Sequence, residues 1–142
     1  MDFRSYTAPT VLFDPGYSVI DATLISDHGL YFLIYKDERG ENRAGTDYKA
    51  MRVATSPHLH GPYTPQTGLV TPSLTEGPAV FRVENRCLML YDCFMDGTWG
   101  AAETDDLLHW KPVASLSVPP EARHGTVFTV SLPQWQRLRS LL

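Results

Sequence analysis

The sequence predicts an all-β fold of the β-propeller type, present in part and followed by a short C-terminal helix. The first observation is a repeated opening. Ile20-Asp21-Ala22-Thr23-Leu24-Ile25, Glu76-Gly77-Pro78-Ala79-Val80-Phe81 and Arg123-His124-Gly125-Thr126-Val127-Phe128 each place a charged or titratable residue just before a β-branched and aromatic run. The second is that the first two openings continue to match, Asp27–Tyr35 with Val83–Tyr91 as strand, turn and strand, and Val53–Leu59 with Ala101–Leu107. Repeats of this length, each built of several short strands, are the signature of a propeller. The first strand of every blade lies at the propeller axis, so the polar opening residues are expected to converge at one end of a shared channel.

The whole of residues 1–142 is read as a single partial propeller domain. Residues 1–19 are irregular or hold one strand around Thr10-Val11-Leu12-Phe13, ended by an Asp14-Pro15-Gly16 turn. The first blade-like unit covers about 17–65, with an inner strand Ile20–Ser26, a tight Asp27-His28-Gly29 turn and an apolar second strand Leu30–Lys36. A strand apolar on both faces is one sandwiched between neighbours. A polar loop from Asp37 to Tyr48 and a third strand Lys49–Ser56 follow, and Gly61-Pro62-Tyr63-Thr64-Pro65 leads to the outer edge. The second unit covers about 75–112, with its turn at Glu84-Asn85-Arg86, a second strand Cys87–Tyr91 and a third strand Thr98–Glu103. The third unit, about 123–142, is cut short: an inner strand Arg123–Val130 gives way to helical spacing of Trp135, Leu138, Leu141 and Leu142, with Ser131 and Pro133 as a helix start. Two full units and two partial ones fall short of the four or more blades of a closed propeller, so self-association that covers the open faces is expected.

Composition narrows the partners. The chain of 142 residues is long enough for one domain with its own core. A formal charge of −4 argues against nucleic acid, which needs a basic face, and suits a small neutral polar substrate. No apolar run approaches the ~20 residues that span a bilayer. Met1-Asp2-Phe3-Arg4-Ser5-Tyr6 carries no hydrophobic signal segment, so the expected setting is cytoplasmic, without a membrane partner. Cys87 and Cys93 fall in one strand region, where a disulfide would have poor geometry, and are read as free thiols.

In their order and spacing these residues resemble the C-terminal half of glycoside hydrolase family 43, the five-bladed propeller arabinosidases and xylosidases. Ile20-Asp21-Ala22-Thr23 is similar to the Asp-Pro opening of the family's middle blade, with Ala22 in place of proline. Tyr35-Lys36-Asp37-Glu38, Arg52-Val53-Ala54-Thr55-Ser56 and His60-Gly61-Pro62-Tyr63 are similar to stretches of the same blade. Thr75-Glu76-Gly77-Pro78 is similar to the family's Glu-Gly-Pro motif, and Arg123-His124-Gly125-Thr126-Val127 to its last-blade Arg-His-Gly stretch. The resemblance implies about three blades of a five-bladed glycosidase propeller and hydrolysis of α-L-arabinofuranosides or β-D-xylosides with inversion. It implies Glu76 as general acid and Asp21 as the aspartate that orients and tunes it. The family's base lies in its first blade and has no counterpart here, and the two-letter match of Asp14-Pro15 lies too near Asp21 to belong to another blade. The alternative is therefore a non-catalytic sugar-binding or structural half-propeller.

The remaining candidates are weighed against plainer roles. His124 is expected at the axis, where the family holds a metal, a water or the sugar, and no cofactor is otherwise expected; Arg123 would bind sugar hydroxyls or pair with a carboxylate. Trp99 and Phe94 flank the Met95-Asp96-Gly97 turn, where a ring can stack on a sugar face, though core packing is the commoner fate. Trp110 and Trp135 are read as core or inter-blade anchors, His58 and His60 as surface residues, and Asp105-Asp106 as a capped turn. An acid beside a second carboxylate and partly buried would have a raised pKa, as proton donation near neutral pH requires.

Overall fold

The computed structural model describes residues 4–40, 48–114, 117–119 and 121–141. Among these residues, eight strands form two four-stranded antiparallel sheets of the same simple order. The first holds β1 (Val19–Asp27), β2 (Leu30–Asp37), β3 (Ala50–Ser56) and β4 (Thr64–Pro65). The second holds β5 (Glu76–Val83), β6 (Arg86–Cys93), β7 (Thr98–Thr104) and β8 (Lys111–Pro112). These are two successive propeller-type blades, and β1 lies alongside β5 at their inner edges. Most of the expected 37–48 loop lies outside the described residues, at 41–47.

Strand alternation explains the packing. On β2, Phe32 and Ile34 point one way and Leu33 and Tyr35 the other. The first pair joins Met51 and Val53 against Cys87, Met89 and Tyr91 of β6, together with Ala102 and Leu107, in one core between the blades. The second pair packs with Ala54 and Tyr63 under Phe13 and Tyr17, so the N-terminal segment covers the far face of the first blade. β2 is thus buried on both faces from Phe32 to Asp37, as its apolar sequence predicts. The stretch Thr10–Phe13 forms no strand, and of its residues only Phe13 packs on this face.

The third unit differs from expectation. Residues 123–130 form no strand, because no described segment supplies a partner ladder: the chain turns at once into α1 (Leu132–Arg139). That helix starts as the sequence predicts, with Ser131 as N-cap in a reciprocal pair with Gln134 and a proline in its first turn. It buries none of its residues. Trp135, expected to anchor the core, is 48% exposed for the same reason: no described element packs over it. Trp110 does pack against the inter-blade core, donating its indole N–H to the Leu107 carbonyl at 3.2 Å. Cys87 and Cys93 are both free, and no helix among the described residues is long and apolar enough to cross a membrane.

Candidate functional site

The repeated opening is a repeated bulge. Pairing between β1 and β2 slips between Ile20 and Thr23, and pairing between β5 and β6 slips between Glu76 and Ala79. At the slip the backbone turns left-handed, at Asp21 with φ 51° and at Gly77 with φ 60°, and His124 has φ 44° at the matching place in the third opening. Bulges re-aim side chains, and a left-handed non-glycine residue is strained, so two such residues in register mark a position held by its surroundings. Gly77 has its own reason to lack a side chain: a Cβ there would come within 2.9 Å of the His124 ring.

The two bulges and the left-handed turn at His124 bring Asp21, Glu76 and His124 together, with one polar atom of each within 4.8 Å of the others. The Gly77 N–H donates to Asp21 Oδ2 at 3.3 Å, which ties the two blades together at their openings. His124 Nε2 lies 3.1 Å from Glu76 Oε1 and 3.9 Å from Asp92 Oδ2. The group faces solvent, for the side chain of Glu76 is 20% exposed and that of His124 46%.

Two partners escaped the sequence reading. Lys36, 2% exposed, places its ammonium 2.7 Å from Glu76 Oε2. It also pairs with Glu38 Oε2 at 2.9 Å and lies 4.7 Å from the centre of the Phe94 ring. Lys49 secures Glu38 from the other side at 2.6 Å. Asp92, wholly buried, accepts from Arg123 Nε at 2.6 Å, and its Oδ1 has no partner. Lys36 and Asp92 are equivalent: each follows the tyrosine of a matched apolar strand, Tyr35 or Tyr91, and each faces the next opening along the chain. Each therefore offers a buried charge to the residue just before the next left-handed position, lysine to Glu76 before Gly77 and aspartate to Arg123 before His124.

The electrostatics differ from the sequence expectation. Burial pushes the Glu76 carboxyl up, but the hydrogen bonds and charges of Lys36 and His124 outweigh it and hold the group below the ordinary glutamate value. Burial likewise pulls Lys36 down, and its two carboxylate partners reverse that and raise it. Both groups are accordingly ionised at neutral pH. Asp21, Glu76 and His124 are also close enough to share one cation, and the Lys36 ammonium already stands beside Glu76 as a positive partner.

Trp99 sits at the same end of the second blade and donates its indole N–H to the Ala122 carbonyl at 2.9 Å. That bond steadies the segment carrying Arg123 and His124. His58 and His60 are exposed, as expected of surface residues, and Asp106 caps its turn by accepting from the Leu108 and His109 N–H groups. Asp14 is exposed in a local turn, its Oδ1 accepting from the Gly16 N–H.

A family profile described as a probable glycosyl hydrolase domain, related to family 43, matches residues 1–136. The chain belongs to this family. Among solved structures it is similar to a thermostable family-43 glycoside hydrolase, at 22% identity and a TM-score of 0.49, over 75% of this chain and 40% of that one. The chain therefore spans less than half of that relative's length. No curated protein matches it.

Proposed function

We propose that the chain carries the acid side of an inverting glycosidase centre, acting on α-L-arabinofuranosides or β-D-xylosides, with Glu76 as proton donor and Asp21 as the carboxylate that orients it. The observation behind this reading is the meeting of Asp21, Glu76 and His124 at adjacent blade openings in a chain of glycosyl hydrolase ancestry. In such a reaction Glu76 would pass its proton to the departing glycosidic oxygen. A second carboxylate, roughly 6.5–9.5 Å away, would draw a proton from the attacking water on the opposite ring face. Asp92 is a poor choice for that base, because it is wholly buried and held by Arg123. The base would then come from outside the described residues, from a further segment or a second copy of this chain. Arg123 and His124, half-exposed and paired with Asp92 and Glu76, would hold sugar hydroxyls.

The second reading is sugar binding without turnover. It is favoured by Lys36, whose ammonium opposes the protonated state that a general acid must hold. Aryl α-L-arabinofuranosides and β-D-xylosides, assayed together with unactivated disaccharides, separate the two. Under the hydrolase reading Glu76→Gln loses ~10²–10⁴-fold on the disaccharides and less on aryl substrates, whose leaving group needs little protonation. The product anomer, followed by NMR, reports inversion. Absence of turnover on every substrate, with measurable sugar binding, would replace the first reading by the second.

A further inference from the structure

The contact between Lys36 and Glu76 deepens the acid assignment, and what it implies for catalysis rests on that assignment. Among the described residues, Asp21 on β1, Glu38 just past β2 and Asp92 on β6 are the carboxylates around Glu76 and its lysine. Asp21 and Glu38 as carboxylates disfavour a charged Glu76, whereas Asp92 is offset by Arg123. His124 is nearly half-exposed, so any charge it carries is screened by water. Arg123 is spent on Asp92 at 2.6 Å. Lys36 alone is both buried and in direct contact with Glu76, and a Coulomb interaction at 2.7 Å in a poorly solvated site outweighs the exposed and more distant charges.

We propose that Lys36 is a positioning residue that anchors the Glu76 carboxylate against His124 and controls whether it carries a proton. Glu38 is the second half of the device. It already pairs with the same ammonium at 2.9 Å, and Lys49 holds it in place. Lys36 therefore stays paired when Glu76 takes up a proton, so the buried ammonium is not stranded. With Lys36 in contact, Glu76 is an anion beside His124. Burial pulls the other way, towards the protonated form a proton donor needs. The Phe94 ring, beneath the ammonium at 4.7 Å, gives the lysine a favourable surface throughout.

The test reads protonation directly and needs no substrate. The side-chain carboxyls are labelled with ¹³C, the Glu76 signal is assigned with Glu76→Gln, and the folded protein is titrated. Glu76 is expected to titrate below the ordinary glutamate value, and the Lys36 side-chain ¹⁵N signal to step at the same midpoint. Lys36→Met should move the Glu76 midpoint upward, and Lys36→Arg should return it towards the starting position. A Glu76 midpoint at or above the ordinary value, or a Lys36 signal without the matching step, would overturn the proposal in the unmodified protein even if Lys36→Met does not fold. A folded Lys36→Met chain with an unchanged Glu76 midpoint would overturn it as well. Turnover is measured separately. A protein that hydrolyses no glycoside but shows these linked titrations keeps the inference and loses the hydrolase reading.

Discussion

At the scale of single residues, the site depends on which side chains the bulges aim and which neighbours fix their charge. Gly77 tests the aiming. With φ at +60° and the His124 ring where a Cβ would stand, Gly77→Ala brings backbone strain and a clash together. The strain alone costs ~1–3 kcal/mol. A lowered melting temperature and displaced His124 imidazole signals are expected; a variant unchanged in both would mean that the ring does not rest on Gly77. Asp21, Glu76 and His124 were legible in the sequence because a polar residue ahead of an apolar run is conspicuous. Lys36 and Asp92 were missed because each ends such a run and reads as a strand terminus. Their ion pairs join residues 40 and 31 apart, a distance no local pattern reports. One signal was available: in the matched repeats each follows a tyrosine, Tyr35 or Tyr91, and a charge at the same place twice invites a partner.

At the scale of elements, the two blades follow from hairpins whose turns and apolar runs repeat, and β1 to β3 and β5 to β7 stand within a few residues of where the sequence places them. The third opening has the same pattern and no strand, since a strand is a property of a pair and the partner is absent from the described chain. The end of β2 shows how one element is fastened to the next. Asp37, wholly buried, accepts from the Arg39 backbone N–H at 3.1 Å, from its guanidinium at 2.9 and 2.7 Å, and from Arg52 on β3 at 2.7 Å. Burial pushes this carboxyl up, and the bonds from Arg39 and Arg52 outweigh it and hold it below its usual value. A carboxyl lowered by folding lends stability that is complete above the unfolded value, about 3.9, and is lost as pH falls through the lower folded value. Urea unfolding at neutral and at acidic pH should therefore show a stability loss in acid that is smaller in Asp37→Asn. At neutral pH that variant should already be weaker by ~3 kcal/mol, since Arg52 is left without its buried counter-charge. The same acid loss in both proteins would remove Asp37 from the explanation.

At the scale of the whole molecule, the core lies between the two blades and under the N-terminal segment, and the outer side of the second blade is left open. Cys87, Met89 and Tyr91 face the first blade, so Leu88 and Leu90 face away from it, and both are only half-buried. Phe128 is 71% exposed, and the helix beyond it leaves Leu132, Trp135, Leu138 and Leu141 uncovered. Exposed apolar surface of this extent, on the second blade and on the C-terminal segment, is the kind that a partner covers. The strand that would have continued the series, residues 123–130, likewise has no ladder of its own to satisfy. We expect this chain, by itself, to self-associate through these exposed apolar surfaces at low micromolar concentration, giving a light-scattering mass above the 15.9 kDa of one copy. The driving force would be apolar, so the association should persist when salt shortens the Debye length to a few ångströms, whereas contacts between charged groups would weaken. Phe128→Ser combined with Trp135→Ser should shift the assembly towards single chains while leaving the two blades folded, because neither residue belongs to the inter-blade core. A monodisperse single chain before any substitution would show that the open side is not a surface on which copies meet.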